Sequence, residues 1–227
     1  MARTARYDGL ADAYDAFLED KSHYYRAAEE ALARLLGPGP GRCLDIGCGS
    51  GHFFRIPLEL GWEFIGVDES EDQLRIAAER FADVELMRAD AIALPFEDGS
   101  FDAAISTFTH TDFDDFPGAM REAGRVLRSG GALVYVGNHP CFIGPAQEHR
   151  ESGIPLLHPG YRRGGRHESA VVPGATPGGW RQTLGSFVHL PLGEFLESFR
   201  GLILEQAEEL DDGFEYPKTI ALRLRKP

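Results

Sequence analysis

No run of the chain comes near the roughly 18 consecutive apolar residues that a membrane-spanning helix needs. The opening residues 1–15 lack the apolar core of a secretory leader. Both absences lead us to expect a cytoplasmic protein with no membrane partner. Cysteine is scarce: Cys43, Cys48 and Cys141 are too few and too unevenly spaced for a disulfide framework or a zinc site, and they fit a reducing compartment. Positive charge is also short. With 23 Lys and Arg against 36 Asp and Glu, the formal net charge is −13. An acidic surface repels phosphate backbones, so no nucleic-acid partner is expected. The best basic candidate, Arg162-Arg163-Gly164-Gly165-Arg166, has the look of a solvated loop. No segment repeats at periods of roughly 20 to 50 residues, which argues against solenoids and propellers.

What is present suits one α/β domain with a sizeable core: 227 residues, 43% hydrophobic and 26% charged. Residues 7–36 carry helical spacing (Leu10, Tyr14, Phe17, Leu18, then Leu32, Leu35, Leu36) and predict a helix, ended by Gly37-Pro38-Gly39-Pro40-Gly41. Short apolar strands are expected at 43–46, 64–67, 84–87, 101–107 and 132–136. Helices ending at Leu60, Phe81 and Leu127 fall between them. That alternation predicts parallel strands joined by right-handed crossovers, a Rossmann-like three-layer sandwich. Residues 138–190, rich in Gly, Pro and His, break the rhythm. A helix at 192–199 and strands at 202–208 and 219–225 restore it. The connection 210–218 is too short for a crossover helix, so the last strand should run antiparallel to its neighbour. The expectation is a single domain with a seven-stranded, mostly parallel sheet. It divides into a helical cap (1–41), a core (42–137), an insert (138–190) and a tail (191–227).

The most informative segment is Leu44-Asp45-Ile46-Gly47-Cys48-Gly49-Ser50-Gly51. A strand runs into closely spaced glycines, which permit positive φ and close approach of backbone amides to a ligand. A helix start would add donors. A dinucleotide loop reads G-x-G-x-x-G, whereas here the spacing is G-x-G-x-G and His52 follows. Asp45, just ahead of the loop, sits awkwardly for a diphosphate and suits a ligand carrying an ammonium group.

On these residues the chain resembles the class I S-adenosylmethionine-dependent methyltransferases, whose signature loop matches at 44–51. The resemblance extends to Asp68-Glu69 after the second strand, Asp90-Ala91 after the third, Leu94-Pro95-Phe96, Ser100-Phe101-Asp102 and residues 125–131. It implies S-adenosylmethionine as cofactor and S-adenosylhomocysteine as product. Asp45, Gly47, Cys48, Gly49 and Gly51 would form the loop site, with no chemical role for the Cys48 thiol. Asp68, beside Glu69, would meet the ribose hydroxyls, and Asp90, beside Ala91, the adenine amino group. Thr107 would lie beside the methionine part, and Tyr14 in the cap would close over the cofactor. The expected activity is methyl transfer to an N, O or C nucleophile of a small organic molecule, a secondary metabolite among the candidates. A cofactor-binding protein without transfer is the alternative, and a nicotinamide oxidoreductase is disfavoured by the loop spacing.

The resemblance also sets the segment 107–112 near the transferred methyl, making His110 a candidate base because imidazole titrates near neutrality. His139, one step past the fifth strand, is the second candidate. Both would also touch the acceptor, with Tyr161 and Trp180 of the insert. Tyr7 and the run His23-Tyr24-Tyr25 could line the same pocket, and residues 112–115 read as caps of the next helix. Five of the eight histidines fall between 139 and 189, but their spacing matches no compact ligand pattern, so no metal is expected. Sequence leaves monomer and homodimer equally open.

Overall fold

In the computed structural model the chain is described at residues 5–20, 22–142, 147–148, 156–157, 160–168, 186–211, 213 and 215–227. Two helices lead, α1 (Ala11–Asp20) and α2 (Ser22–Leu36), followed by β1 (Arg42–Ile46), α3 (Arg55–Glu59), β2 (Glu63–Asp68), α4 (Glu71–Arg80) and β3 (Glu85–Arg88). Then come β4 (Phe101–Thr107), α5 (Phe116–Val126) and β5 (Leu127–Asn138). The insert supplies β6 (Gln147–Glu148), β7 (Leu156–Leu157), β8 (Gly165–Glu168) and β9 (Ser186–His189). The tail adds α6 (Leu192–Glu197), β10 (Ile203–Glu209) and β11 (Thr219–Arg225).

Seven strands form one sheet in the order β10-β11-β5-β4-β1-β2-β3. β1 to β5 pair in parallel, and β11 runs antiparallel to both β5 and β10. Successive strand residues point to opposite faces, so β1 sends Leu44 and Ile46 to one side and Cys43 to the other, while β5 divides Leu133 and Tyr135 from Val134 and Val136. The first face packs on α5, α6 and the turn after α6 through Phe116, Met120, Phe195 and Phe199. The second packs on α2, α3 and α4 through Leu32, Leu35, Ile56 and Ala77. No helix among the described residues is long and apolar enough to cross a membrane.

Three local expectations needed correction. The N-terminal helix starts late: residues 6–10 are turns, and helical residues begin at Ala11. The helix after the glycine loop is only Arg55–Glu59. Proline is accommodated in a helix's first turn and not beyond it, so Pro57 bars an earlier start. The fifth strand, expected at 132–136, begins at Leu127, and Ser129-Gly130-Gly131 is absorbed into it at a register shift opposite Phe101 and Ala103. There Gly130 N–H donates to Lys226 O and Lys226 N–H to Gly131 O, so the irregular stretch still has ladder partners.

Candidate functional site

Parallel strands leave their carboxyl ends on one rim, and open α/β sheets bind ligands there. Here that rim carries a cleft of two lobes. The first, about 740 Å³, lies over the glycine loop beneath the N-terminal segment. The second, about 580 Å³, lies over the ends of β2 and β3. Gly47, Asp68, Glu69, Asp112 and Phe113 border both lobes, so they form one elongated site.

Gly47 shows why the loop is built of glycine. Its φ is +77°, and a Cβ there would lie 2.7 Å from Phe113 Cζ and 2.7 Å from Thr109 Cγ2. The loop amides are largely committed to the fold. Gly47 and Cys48 N–H both donate to Val67 O, Gly51 N–H donates to Cys48 O, and Gly49 N–H donates to Asp68 Oδ2 at 2.9 Å. The expected amide cradle is therefore mostly closed, and the following helix is too short to supply much dipole.

Asp68 is the hinge of the site. Its Oδ1 accepts from Ser70 N–H at 2.9 Å while Oδ2 accepts from Gly49. Burial raises its carboxyl to about 6, with the amide bonds pulling the other way. A carboxylate offers about four acceptor positions, so room remains for a hydroxyl donor. Asp45 is buried beneath the loop, its carboxyl pushed well up by burial and then by the charge of Asp68. Its Oδ1 has no hydrogen-bond partner among the described residues, and the same holds for Gln73 Oε1, which lines the first lobe. In the second lobe Asp90 stands beside Ala91, its Oδ1 accepting from Ile92 N–H at 3.1 Å.

The cap closes the first lobe from above. Tyr7 and Tyr14 pack with ring centroids 4.8 Å apart, and burial raises both phenols well above their ordinary range. Opposite them Tyr25, His52, Phe53 and Phe108 form an aromatic wall, with Tyr25 and Phe108 edge-on at 5.1 Å. Phe108 holds φ +55°, the only positive value at a non-glycine among the described residues. Such strain concentrates at functional sites. His52 Nε2 lies 3.7 Å from Glu29, and burial lowers its pKa, keeping the ring neutral near pH 7.

Of the residues singled out from sequence, Tyr14, Gly47, Cys48, Gly49, Asp68, Glu69, Asp90, Ala91 and Thr107 line the cleft. Asp45 and Gly51 lie just beneath it. The candidates for base and acceptor contact do not converge there. His110 is fully buried among Phe116, Tyr135 and Phe195, its Nδ1 2.7 Å from the Tyr135 hydroxyl. An apolar cluster on the α5–α6 face has drawn the imidazole inward, away from the rim.

His139 is likewise buried. Its Nδ1 accepts from Cys141 N–H at 3.1 Å and its Nε2 lies 3.0 Å from Glu209, so it ties β5 to β10. Tyr161 accepts from Leu192 N–H at 2.7 Å and pins the insert to α6, outside both lobes. Trp180 lies outside the described residues, and nothing is described of the His23 and Tyr24 side chains. Asp115 caps α5 through Gly118 N–H, as expected for that run, whereas Asp112 faces the cleft beside Arg6.

Arg6, His52 and Gln73 were missed, and Phe108 was covered only as part of the segment 107–112. Gln73 had a signal, since it precedes Ala77 by one helical turn and is a polar side chain on a buried stripe. Arg6, outside any periodic element, had none. Among the described residues no group of His, Cys, Asp and Glu could hold a metal ion.

Comparison with known proteins agrees with this geometry. Residues 44–135 match the family described as methyltransferase domain. The demethylmenaquinone methyltransferase of Thermus thermophilus is 37% identical over 135 residues, covering 57% of this chain and 59% of that protein. An uncharacterised protein of Methanocaldococcus jannaschii is 32% identical over 147 residues, 64% of this chain and 67% of that one. This chain spans about three-fifths of the length of the demethylmenaquinone methyltransferases it matches. A solved S-adenosylmethionine-dependent methyltransferase of Mesorhizobium loti superposes with TM-score 0.71 at 23% identity, over 89% of this chain and 98% of that one. The chain belongs to the class I S-adenosylmethionine-dependent methyltransferase family.

Proposed function

We propose that the protein transfers the methyl group of S-adenosylmethionine to a small organic acceptor. The observation that carries this reading is the two-lobed cleft with acids at the ends of β2 and β3. The chain's residues fit the cofactor's distinct parts. Asp90 and Ala91 offer the second lobe to adenine, and Asp68 at the shared rim offers its carboxylate to the ribose hydroxyls, a charge-assisted contact. The amino-acid end then falls in the first lobe, where Asp45 Oδ1 and Gln73 Oε1 are suited to an ammonium group. Bound there, the cofactor supplies an already activated sulfonium methyl.

The protein's own work is positioning. Tyr7 and Tyr14 cover the site and exclude water, while Tyr25, Phe53 and Phe108 present an aromatic wall suited to an acceptor with a ring system. With His110 and His139 turned into packing roles, the reading favours an N, O or C nucleophile that needs no help from either. The insert 138–190 contributes to acceptor choice.

Calorimetry tests the core of the reading. S-adenosylhomocysteine should bind in the micromolar range and nicotinamide dinucleotides negligibly. The opposite preference would overturn it. Transfer of labelled methyl from the cofactor to ring-bearing acceptors then separates an enzyme from a protein that only binds.

A further inference from the structure

The cofactor's amino-acid end carries a carboxylate, and the first lobe offers it little. Four of the five loop amides are already bonded within the fold. The carboxylates of Asp45, Asp68, Glu69 and Asp112 repel an anion. His52 is kept neutral by burial and faces Glu29. Among the described residues, Arg6 is the only permanent cation lining either lobe.

Its position is built. Asp8 Oδ2 accepts from Ala5 N–H at 3.1 Å, and Asp8 Oδ1 receives the Ser70 hydroxyl at 2.8 Å, which anchors the segment to the start of α4. Gly9 N–H donates to Asp72 at 2.6 Å. From this anchored turn the Arg6 side chain, which lines the first lobe, donates to the Ser186 carbonyl on β9 and lies 3.6 Å from Asp112. Its Nε is buried with no hydrogen-bond partner among the described residues. A guanidinium carries five N–H donors in a planar fork matched to a carboxylate, and this one has donors to spare.

We propose that Arg6 binds the carboxylate of the cofactor's amino-acid end, so that the N-terminal segment, rather than the glycine loop, reads that group. The proposal rests on the methyltransferase reading above. It makes residues 5–10 part of the cofactor site and ties their placement over the lobe to cofactor binding.

The test is a cycle of two ligands and two proteins, read by calorimetry on the full chain. The ligands are S-adenosylhomocysteine and its decarboxylated analogue, which keeps adenosine, sulfur and amine. Wild type should bind the first about tenfold or more tightly, the scale of a hydrogen bond to a charged group. In Arg6→Met the ratio should fall to near one, chiefly by loss of affinity for the carboxylate-bearing ligand. Wild type that does not distinguish the two ligands overturns the role of Arg6 without recourse to any variant. So does an Arg6→Met protein that keeps the full ratio or loses both ligands alike. Wild type that binds neither ligand overturns the methyltransferase reading itself.

Discussion

Asp68 faces both lobes while accepting two backbone amides, so its protonation state governs what the cleft can hold. Its carboxyl titrates at about 6 in the folded chain, against roughly 3.9 when unfolded. Burying the anion costs stability. The favourable contribution is therefore complete below the unfolded value and is lost as pH rises through about 6. Asp45, also raised by burial, acts in the same direction. A bound diol works oppositely, because it favours the anion. Affinity for S-adenosylhomocysteine should decline below about pH 6, towards tenfold per pH unit, with a proton released on binding near the midpoint. Titrations in buffers of different ionisation enthalpy read both effects, and an equal slope in Asp68→Asn would detach Asp68 from the diol. His110 presents the contrasting case of a titratable ring used as packing. His110→Ala leaves a cavity and a stranded Tyr135 hydroxyl, so denaturant unfolding should show a loss of about 2–5 kcal/mol. Cofactor affinity should stay as in wild type, and a drop at unchanged stability would return the ring to the site.

At the scale of elements, α1 is the weakly held piece. Its Tyr14 and Leu18 face the cleft, but its outer face is fastened to α4 by charge: Arg75 spans both oxygens of Asp12 at 2.8 Å, and Arg80 bonds Asp15 at 2.5 Å and Glu19 at 2.9 Å. Exposed pairs are individually weak and salt-screened. Raising salt to about 1 M, where screening acts within roughly 3 Å, should speed limited proteolysis inside residues 5–20 several-fold. Arg80→Ala should do the same at low salt, and saturating S-adenosylhomocysteine should slow cleavage in both. Cleavage that ignores salt, variant and ligand would show that apolar contact alone holds the helix. The late start at Ala11 was hidden from sequence because Leu10 already falls on the helical spacing of Tyr14, Phe17 and Leu18. The two helices pack on different neighbours, α1 on α4 and α2 on the sheet.

Over the whole molecule, legibility followed locality. Strand pairing and the antiparallel β11 were readable because apolar runs, connection lengths and crossover handedness constrain them jointly. The cofactor half of the site was readable because strand ends and a glycine loop are fixed by the chain's own neighbourhood. The inward turn of His110 was not, since it depends on Phe195, which lies 85 positions along the chain. Arg6 escaped notice for a similar reason, as its partners Asp112 and Ser186 come from distant segments. The place of β11 has one more consequence, for synthesis. It sits between β5 and β10, and Lys226 Nζ donates to the carbonyls of Arg125 and Leu127. Until residues 219–226 leave the ribosome, the apolar edge of β5 has no strand to its outer side. The nascent chain must therefore wait with an open, sticky border, and a chaperone that shields strand edges would act in that interval.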